Sequence, residues 1–94
     1  MSLAESCRNF RLDGARLVCE CLLANGEYRT SWIDLDQYIG IVDGKLVWHA
    51  KGFSKSCTDL RLEDTILYAK YKKTGSECFI DLALKLRNDN GVLL

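Results

Sequence analysis

The chain says the same thing twice. Ser6-Cys7-Arg8-Asn9-Phe10-Arg11-Leu12-Asp13 returns as Ser56-Cys57-Thr58-Asp59-Leu60-Arg61-Leu62-Glu63. The correspondence runs on in order. Leu17-Val18-Cys19-Glu20-Cys21 answers to Leu67-Tyr68-Ala69-Lys70-Tyr71, Asn25-Gly26 to Thr74-Gly75, Ile33-Asp34-Leu35 to Ile80-Asp81-Leu82, and Asp43-Gly44-Lys45-Leu46 to Asn90-Gly91-Val92-Leu93. The copies occupy about residues 1–51 and 52–94. An open solenoid needs at least three repeats to bury a continuous core, so two copies are expected to close on each other in a single domain. A chain of 94 residues buries roughly 65% of its unfolded surface, enough for a modest core. A surface feature of one copy then predicts a symmetry-related feature in the other.

Thirteen basic and thirteen acidic residues cancel, so no field draws the chain to phosphate backbones, and nucleic acid is not an expected partner. No apolar run has bilayer-spanning length, so membrane insertion is not expected. Met1-Ser2-Leu3-Ala4-Glu5 lacks the basic flank and apolar stretch of a secretory signal. With Met1 as the native start, a cytoplasmic location is expected; a trimmed product would be secreted.

Five cysteines leave at least one thiol unpaired, unlike the even count of a secreted disulfide scaffold. Buried, reduced cysteines acting as small apolar residues are one reading. A bridge between Cys7 and Cys21 within the first copy is another, and the second copy cannot repeat it because Tyr71 stands in the partner's place. Cys19-Glu20-Cys21 with the lone His49 lacks the paired spacings of structural zinc sites, so no metal and no cofactor are expected. With one histidine and no glycine-flanked nucleophile, no catalytic residue is assigned, and the chain is not expected to be an enzyme.

Leu17, Cys19 and Cys21 alternate with Val18 and Glu20, and Leu67, Ala69 and Tyr71 with Tyr68 and Lys70, the period of a half-buried strand. Asn25-Gly26 and Thr74-Gly75 read as turns leading to strands at Tyr28 to Trp32 and Cys78 to Ile80, so each copy is expected to begin as a hairpin. Asp43-Gly44 and Asn90-Gly91 mark further turns before Lys45 and Val92. Asp34 to Ile39 and Asp81 to Leu86 read as single helical turns capped by Asp34 and Asp81. Trp32, Trp48, Phe10, Phe53 and Tyr28 are expected to fill core and interfaces.

The order Ser-Cys, Arg-Leu, strand, Gly-containing turn, Ile-Asp-Leu, then Asp-Gly or Asn-Gly and Leu resembles the cyanovirin-N homology family of lectins. The first copy carries the fuller pattern, from Cys21 through Asn25-Gly26-Glu27-Tyr28-Arg29-Thr30-Ser31, Ile33-Asp34-Leu35, Val42-Asp43-Gly44, Leu46, Trp48 and Phe53 to Cys57. The resemblance spans essentially the whole chain. It implies one all-β domain over residues 1–94, elongated and pseudo-twofold, each half a three-stranded sheet plus a β-hairpin with short helical turns, and strand exchange between the repeats. One half would join the N-terminal stretch to about Gln37 with the tail from about Lys85.

The resemblance also implies a carbohydrate-binding protein that recognises mannose-containing glycans, by noncovalent hydrogen bonding to α-linked mannose. Carried over residue by residue, the terminal-half site is Glu5, Ser6, Leu22, Ala24, Asn88, Asp89 and Asn90. The central-half site is Gly40, Ile41, Asp43, Lys51, Gly52, Lys55, Ser56, Lys72 and Thr74. Sugar hydroxyls need several aimed donors and acceptors, which the polar members supply. Leu22 and Ala24 depart from the family's polar residues, and Gly40, Ile41 and Lys55 from its central-site pattern, so an interaction or structural module with altered sugar binding is the competing reading. The linker His49-Ala50-Lys51-Gly52 has a glycine and no proline, so it is expected to bend back without strain, giving mostly monomer with a domain-swapped dimer as a minor form.

Overall fold

The structure is a computed structural model and describes residues 2–94. Each copy opens on one helical turn. The first, α1 (Leu3–Ser6), is capped by Ser2, whose hydroxyl accepts from the Glu5 amide. Three antiparallel strands follow as a meander, β1 (Cys7–Asp13), β2 (Arg16–Leu22) and β3 (Tyr28–Asp34). A 3-10 turn at Leu35–Gln37 leads to the hairpin β4 (Ile39–Val42) and β5 (Lys45–Trp48). The second copy repeats the plan with α2 (Phe53–Ser56), the meander β6 (Cys57–Glu63), β7 (Ile66–Tyr71) and β8 (Glu77–Asp81), a 3-10 turn at Leu82–Leu84, and the hairpin β9 (Asn88–Asp89) and β10 (Val92–Leu93).

Local chemistry accounts for these boundaries. Asp34 and Asp81 cap the two 3-10 turns, their carboxylates accepting from the Asp36 and Ala83 amides at 3.1 and 3.0 Å. Asp43 and Asn90 adopt left-handed backbone (φ 52° and 48°) at the hairpin turns, a conformation that Asp and Asn tolerate better than other side chains. The expectation that each copy begins at the Asn25-Gly26 or Thr74-Gly75 hairpin needs correction: β1 and β6 come first. Each carries a bulge, at Asn9 (φ 56°) and Asp59 (φ 54°), where the pairing register shifts. The bulge interrupts the alternation that marks a strand in sequence.

The hairpins are exchanged. The β9–β10 hairpin, from the second copy, packs on the β1–β3 sheet of the first. There the Asn88 amide donates to the Leu22 carbonyl at 2.9 Å, the Ala24 amide to Asn90 Oδ1 at 2.9 Å, and the Ser31 hydroxyl to the Gly91 carbonyl. The β4–β5 hairpin, from the first copy, lies against β8 and the Tyr71 ring beside Gly44. The molecule is long, 47 × 21 × 17 Å. Leu3, Leu17, Leu35, Ile39, Phe53, Leu67 and Leu82 are fully buried and run through one continuous core.

Two aromatic expectations fail. Trp32 is 57% exposed and Tyr28 42% exposed. They stand on the outer face of β3, where the Arg16 guanidinium lies 4.5 Å from the Trp32 ring and that of Arg8 lies 3.6 Å from the Tyr28 ring. Alternation within β3 turns Ser31 and Ile33 inward and therefore Trp32 outward. The linker also differs from expectation: His49 is left-handed at φ 63° as well as Gly52 at φ 78°, so the chain bends back with one non-glycine residue in a disfavoured conformation.

Hydrogen bonds from Asn9, then Arg8, hold the Glu20 carboxyl below the usual glutamate range, and those from Arg61 do the same for Glu77. A lowered folded value means stability present above the ordinary glutamate range and lost as pH falls through the folded value. Replacing both with glutamine is expected to flatten the acid limb of a pH series of thermal unfolding curves; the effect is small because both groups are exposed.

Candidate functional site

A groove of about 670 Å³ opens in the central half. Its floor and walls come from the β4–β5 turn (Asp43 to Leu46), from Tyr71 and Thr74 at the end of β7, and from Ser76 to Phe79 leading into β8. That volume falls within the range of small-ligand sites. Gly44 is needed for the turn, which its φ of 75° closes; the Tyr71 ring beside it lies at ordinary contact distance, 3.5 Å from where a Cβ would stand. Asp43 is exposed at the rim, and among the described residues no donor is bonded to its carboxylate. Thr74 Oγ1 accepts from the Ser76 amide at 3.2 Å, which fixes the hydroxyl in the β7–β8 turn. Phe79 is 67% exposed, with its ring centroid 6.0 Å from that of Tyr68.

Of the residues assigned to the central half, Asp43 and Thr74 line this groove together. Ser56, Lys55 and Lys72 do not line it and are bonded to one another instead. The Lys72 amide donates to the Ser56 carbonyl at 2.9 Å and its ammonium to the Lys55 carbonyl at 3.2 Å. The Lys55 amide in turn donates to the Gly52 carbonyl at 3.1 Å. Gly40 packs on the linker, and Ile41 is half-buried against the core. Lys51 lines a separate pocket of about 470 Å³ with Tyr38, Trp48, His49 and Leu94.

The terminal half is built differently. Ser6 is 2% exposed, and its hydroxyl donates to the Ser2 carbonyl at 2.6 Å. Asn88 is 1% exposed; besides donating to Leu22, its Oδ1 accepts from the Gly91 amide at 2.7 Å. Asn90 serves the Ala24 amide. Leu22, Ala24, Asn88 and Asn90 are therefore brought together, but as a clasp that pins the exchanged hairpin to β2. Glu5 and Asp89 remain exposed at this end.

The symmetry-related groove, between Thr30 to Trp32 and Gly91 to Leu93, holds only about 190 Å³. One substitution between the repeats accompanies the difference. Ser31, paired with Cys19, reaches across to the Gly91 carbonyl and ties the hairpin to β3. Cys78, paired with Ala69 at the equivalent position, donates to the Ala69 carbonyl at 3.4 Å within its own sheet. The central hairpin lacks that tie. Tyr71, Ser76, Glu77 and Phe79 also line the groove, and the sequence reading assigns none of them to it. The Ser31/Cys78 mismatch in the repeat was the available signal.

All five cysteines are free, buried thiols. Burial pushes the Cys7 and Cys57 thiols up to about 11 and raises Cys19 and Cys78 as well. Cys7 and Cys21, which face each other across β1 and β2, lie with sulfurs 3.1 Å apart. Cys57 faces Tyr71 at the equivalent place.

A two-lobed β protein with exchanged hairpins and an open groove in its central half is the class that this geometry defines. The sequence matches the CVNH domain family over residues 3–94, and the chain belongs to that family. It is 44% identical over 66 residues to a cyanovirin-N homolog of Tuber borchii, an alignment covering 68% of this chain and 64% of that protein. The solved structure of the T. borchii CVNH protein superposes with a TM-score of 0.87 at 38% identity, covering 100% of this chain and 98% of that one. Two more distant structures share the fold. A MoCVNH3 variant in complex with (N-GlcNAc)4 gives a TM-score of 0.90 at 24% identity, covering 97% and 94% of the two chains. A microvirin:mannobiose complex gives 0.79 at 23%, covering 99% and 96%.

Proposed function

We propose that the protein is a carbohydrate-binding lectin whose working site is the central groove, and that its ligand is a mannose-containing glycan with α-linked mannose. The observation that carries this reading is the groove's composition. A free carboxylate at Asp43 and hydroxyls at Tyr71, Thr74 and Ser76, with the Glu77 carboxylate paired to Arg61, surround an apolar floor ending in the exposed Phe79 ring. A pyranose presents hydroxyls on its edges and C–H groups on its faces, so this mixture suits both. Membership of a family with members solved on sugars supports the class. No catalytic role is needed: the groove binds and releases its ligand unchanged. Single-site affinity is weak, and a multivalent glycan or a swapped dimer raises it through avidity.

Isothermal titration with α-mannobiose and, separately, with an N-acetylglucosamine oligomer tests this. The expected result is binding of the mannose disaccharide, weakened roughly 10- to 100-fold by Asp43→Asn, since hydrogen bonds to a charged group contribute about 1.5–3 kcal/mol. Asparagine keeps the left-handed turn that Asp43 requires, so this variant is expected to fold. Thr30→Ala, in the smaller groove, leaves binding unchanged. Binding of the N-acetylglucosamine oligomer alone would keep the lectin and overturn the mannose assignment; heat from neither sugar would favour the fold acting as an interaction module.

A further inference from the structure

The β1–β2 register sets Cys7 opposite Cys21, and Cys19 shares the inward face of β2 with Cys21. Cys7 and Cys21 Sγ are 3.1 Å apart, Cys19 and Cys21 Sγ 3.6 Å apart, and all three sulfurs lie within 4.8 Å of one another. Exposure at the three residues is 7%, 2% and 0%. We propose that Cys7, Cys19 and Cys21 form a binding site for a trivalent thiophilic metalloid, arsenite or antimonite, held as a neutral three-sulfur complex. Cys7 is remote in sequence from the Cys19-Glu20-Cys21 segment, and the pairing of β1 with β2 delivers it as the third thiol.

Charge and spacing select the ligand class. In a buried site every uncompensated charge is costly. Three thiolates around Cu(I) carry two net negative charges, and around Zn(II) one. Around As(III) or Sb(III) they carry none. The balanced reaction is As(OH)3 + 3 RSH → As(SR)3 + 3 H2O, in which each thiol proton leaves with one hydroxyl as water and no redox partner is required. Tetrahedral zinc, at about 2.3 Å per sulfur, would space its sulfurs about 3.8 Å apart. Two of the three separations, 3.1 and 3.6 Å, fall below that spacing. The fold itself does not demand three sulfurs here. At the equivalent positions the second copy has Cys57, Ala69 and Tyr71.

The test is arsenite titration of the full chain under a phosphine reductant, read by native mass spectrometry and arsenic X-ray absorption. The expected adduct is one arsenic per chain with the loss of three hydrogens, and an absorption spectrum with three sulfur neighbours and no oxygen. Cys19→Ala borrows the residue of the second copy. It is expected to weaken binding about a hundredfold with loss of the third anchor, and to yield an adduct that keeps a hydroxyl. The double variant Cys57→Ser/Cys78→Ser is expected to bind as the parent does. Three results would overturn the proposal: a parent adduct that retains a hydroxyl, binding undiminished by Cys19→Ala, or no adduct on protein whose five thiols all titrate after denaturation. Should Cys19→Ala fail to fold, the parent's absorption spectrum decides alone.

Discussion

Phe53→Ala is expected to cost about 3–5 kcal/mol, the usual range for emptying a buried aromatic site. Phe53 is the largest fully buried side chain, at 0% exposure, and it sits at the start of α2 where the second copy begins. That helical turn packs on β4, which belongs to the exchanged hairpin of the first copy, and on β6 of its own. The ring therefore fills space shared by both repeats, and neither can close over the cavity without losing contact with the other. A domain of this size has a total stability of roughly 5–14 kcal/mol, so the loss is a large part of the whole. Thermal unfolding followed by circular dichroism is expected to show a midpoint lowered by roughly 15–30 °C. Phe53→Leu should recover most of the difference. A midpoint within a few degrees of the parent for Phe53→Ala would mean that the repeats do not share this core.

Gly40→Val is expected to shift the chain toward a domain-swapped dimer. A Cβ at residue 40 would lie 2.6 Å from Ala50 Cβ and 2.9 Å from both the amide nitrogen and the carbonyl oxygen of Lys51. The obstruction is the Ala50 methyl group and the Lys51 backbone, neither of which has a rotamer that could relieve it. Gly40 has no positive φ, and the glycine is required by the close approach of the returning linker alone. Overpacking of this kind costs about 1–3 kcal/mol. The linker can avoid that cost by straightening, which also releases His49 from its left-handed conformation while preserving the repeat–repeat interface between two chains. Each 1.4 kcal/mol moves the equilibrium about tenfold, so sedimentation at micromolar protein should show mostly dimer. A monomeric variant with unchanged thermal stability would remove the linker from the account.

Much of this architecture was legible, for reasons that differ from element to element. The Asn-Gly and Asp-Gly turns were readable because few other residues accept left-handed backbone. The capping of Asp34 and Asp81 was readable because a carboxylate ahead of a helical turn has one obvious use. The repeat announced the symmetry. What stayed hidden depended on cross-strand geometry. β1 and β6 were obscured by the bulges at Asn9 and Asp59 and entered only with the family resemblance. Trp32 reads as a core or interface filler because it falls in a strand, whereas its parity within β3 puts it outside. At the sites, residue-by-residue transfer found Asp43 and Thr74 in the groove. It could not foresee that Ser6 and Asn88 spend their polar atoms inside the protein, because those partners lie on Ser2 and on Leu22 and Gly91. The two grooves also differ in a bond that only cross-strand geometry reveals, since Ser31 ties its hairpin to the sheet and Cys78 bonds within its own sheet.

The claim that the central groove is a sugar site is tested most directly by a backbone amide NMR titration with an α-linked mannose disaccharide. Saturable shifts confined to the β4–β5 turn around Asp43, to Thr74 and Ser76, and to Phe79 are the predicted result, with the Leu22 to Ala24 and Asn88 to Asn90 signals unmoved. A spectrum unchanged at millimolar sugar, or shifts clustered at the terminal end instead, would contradict it.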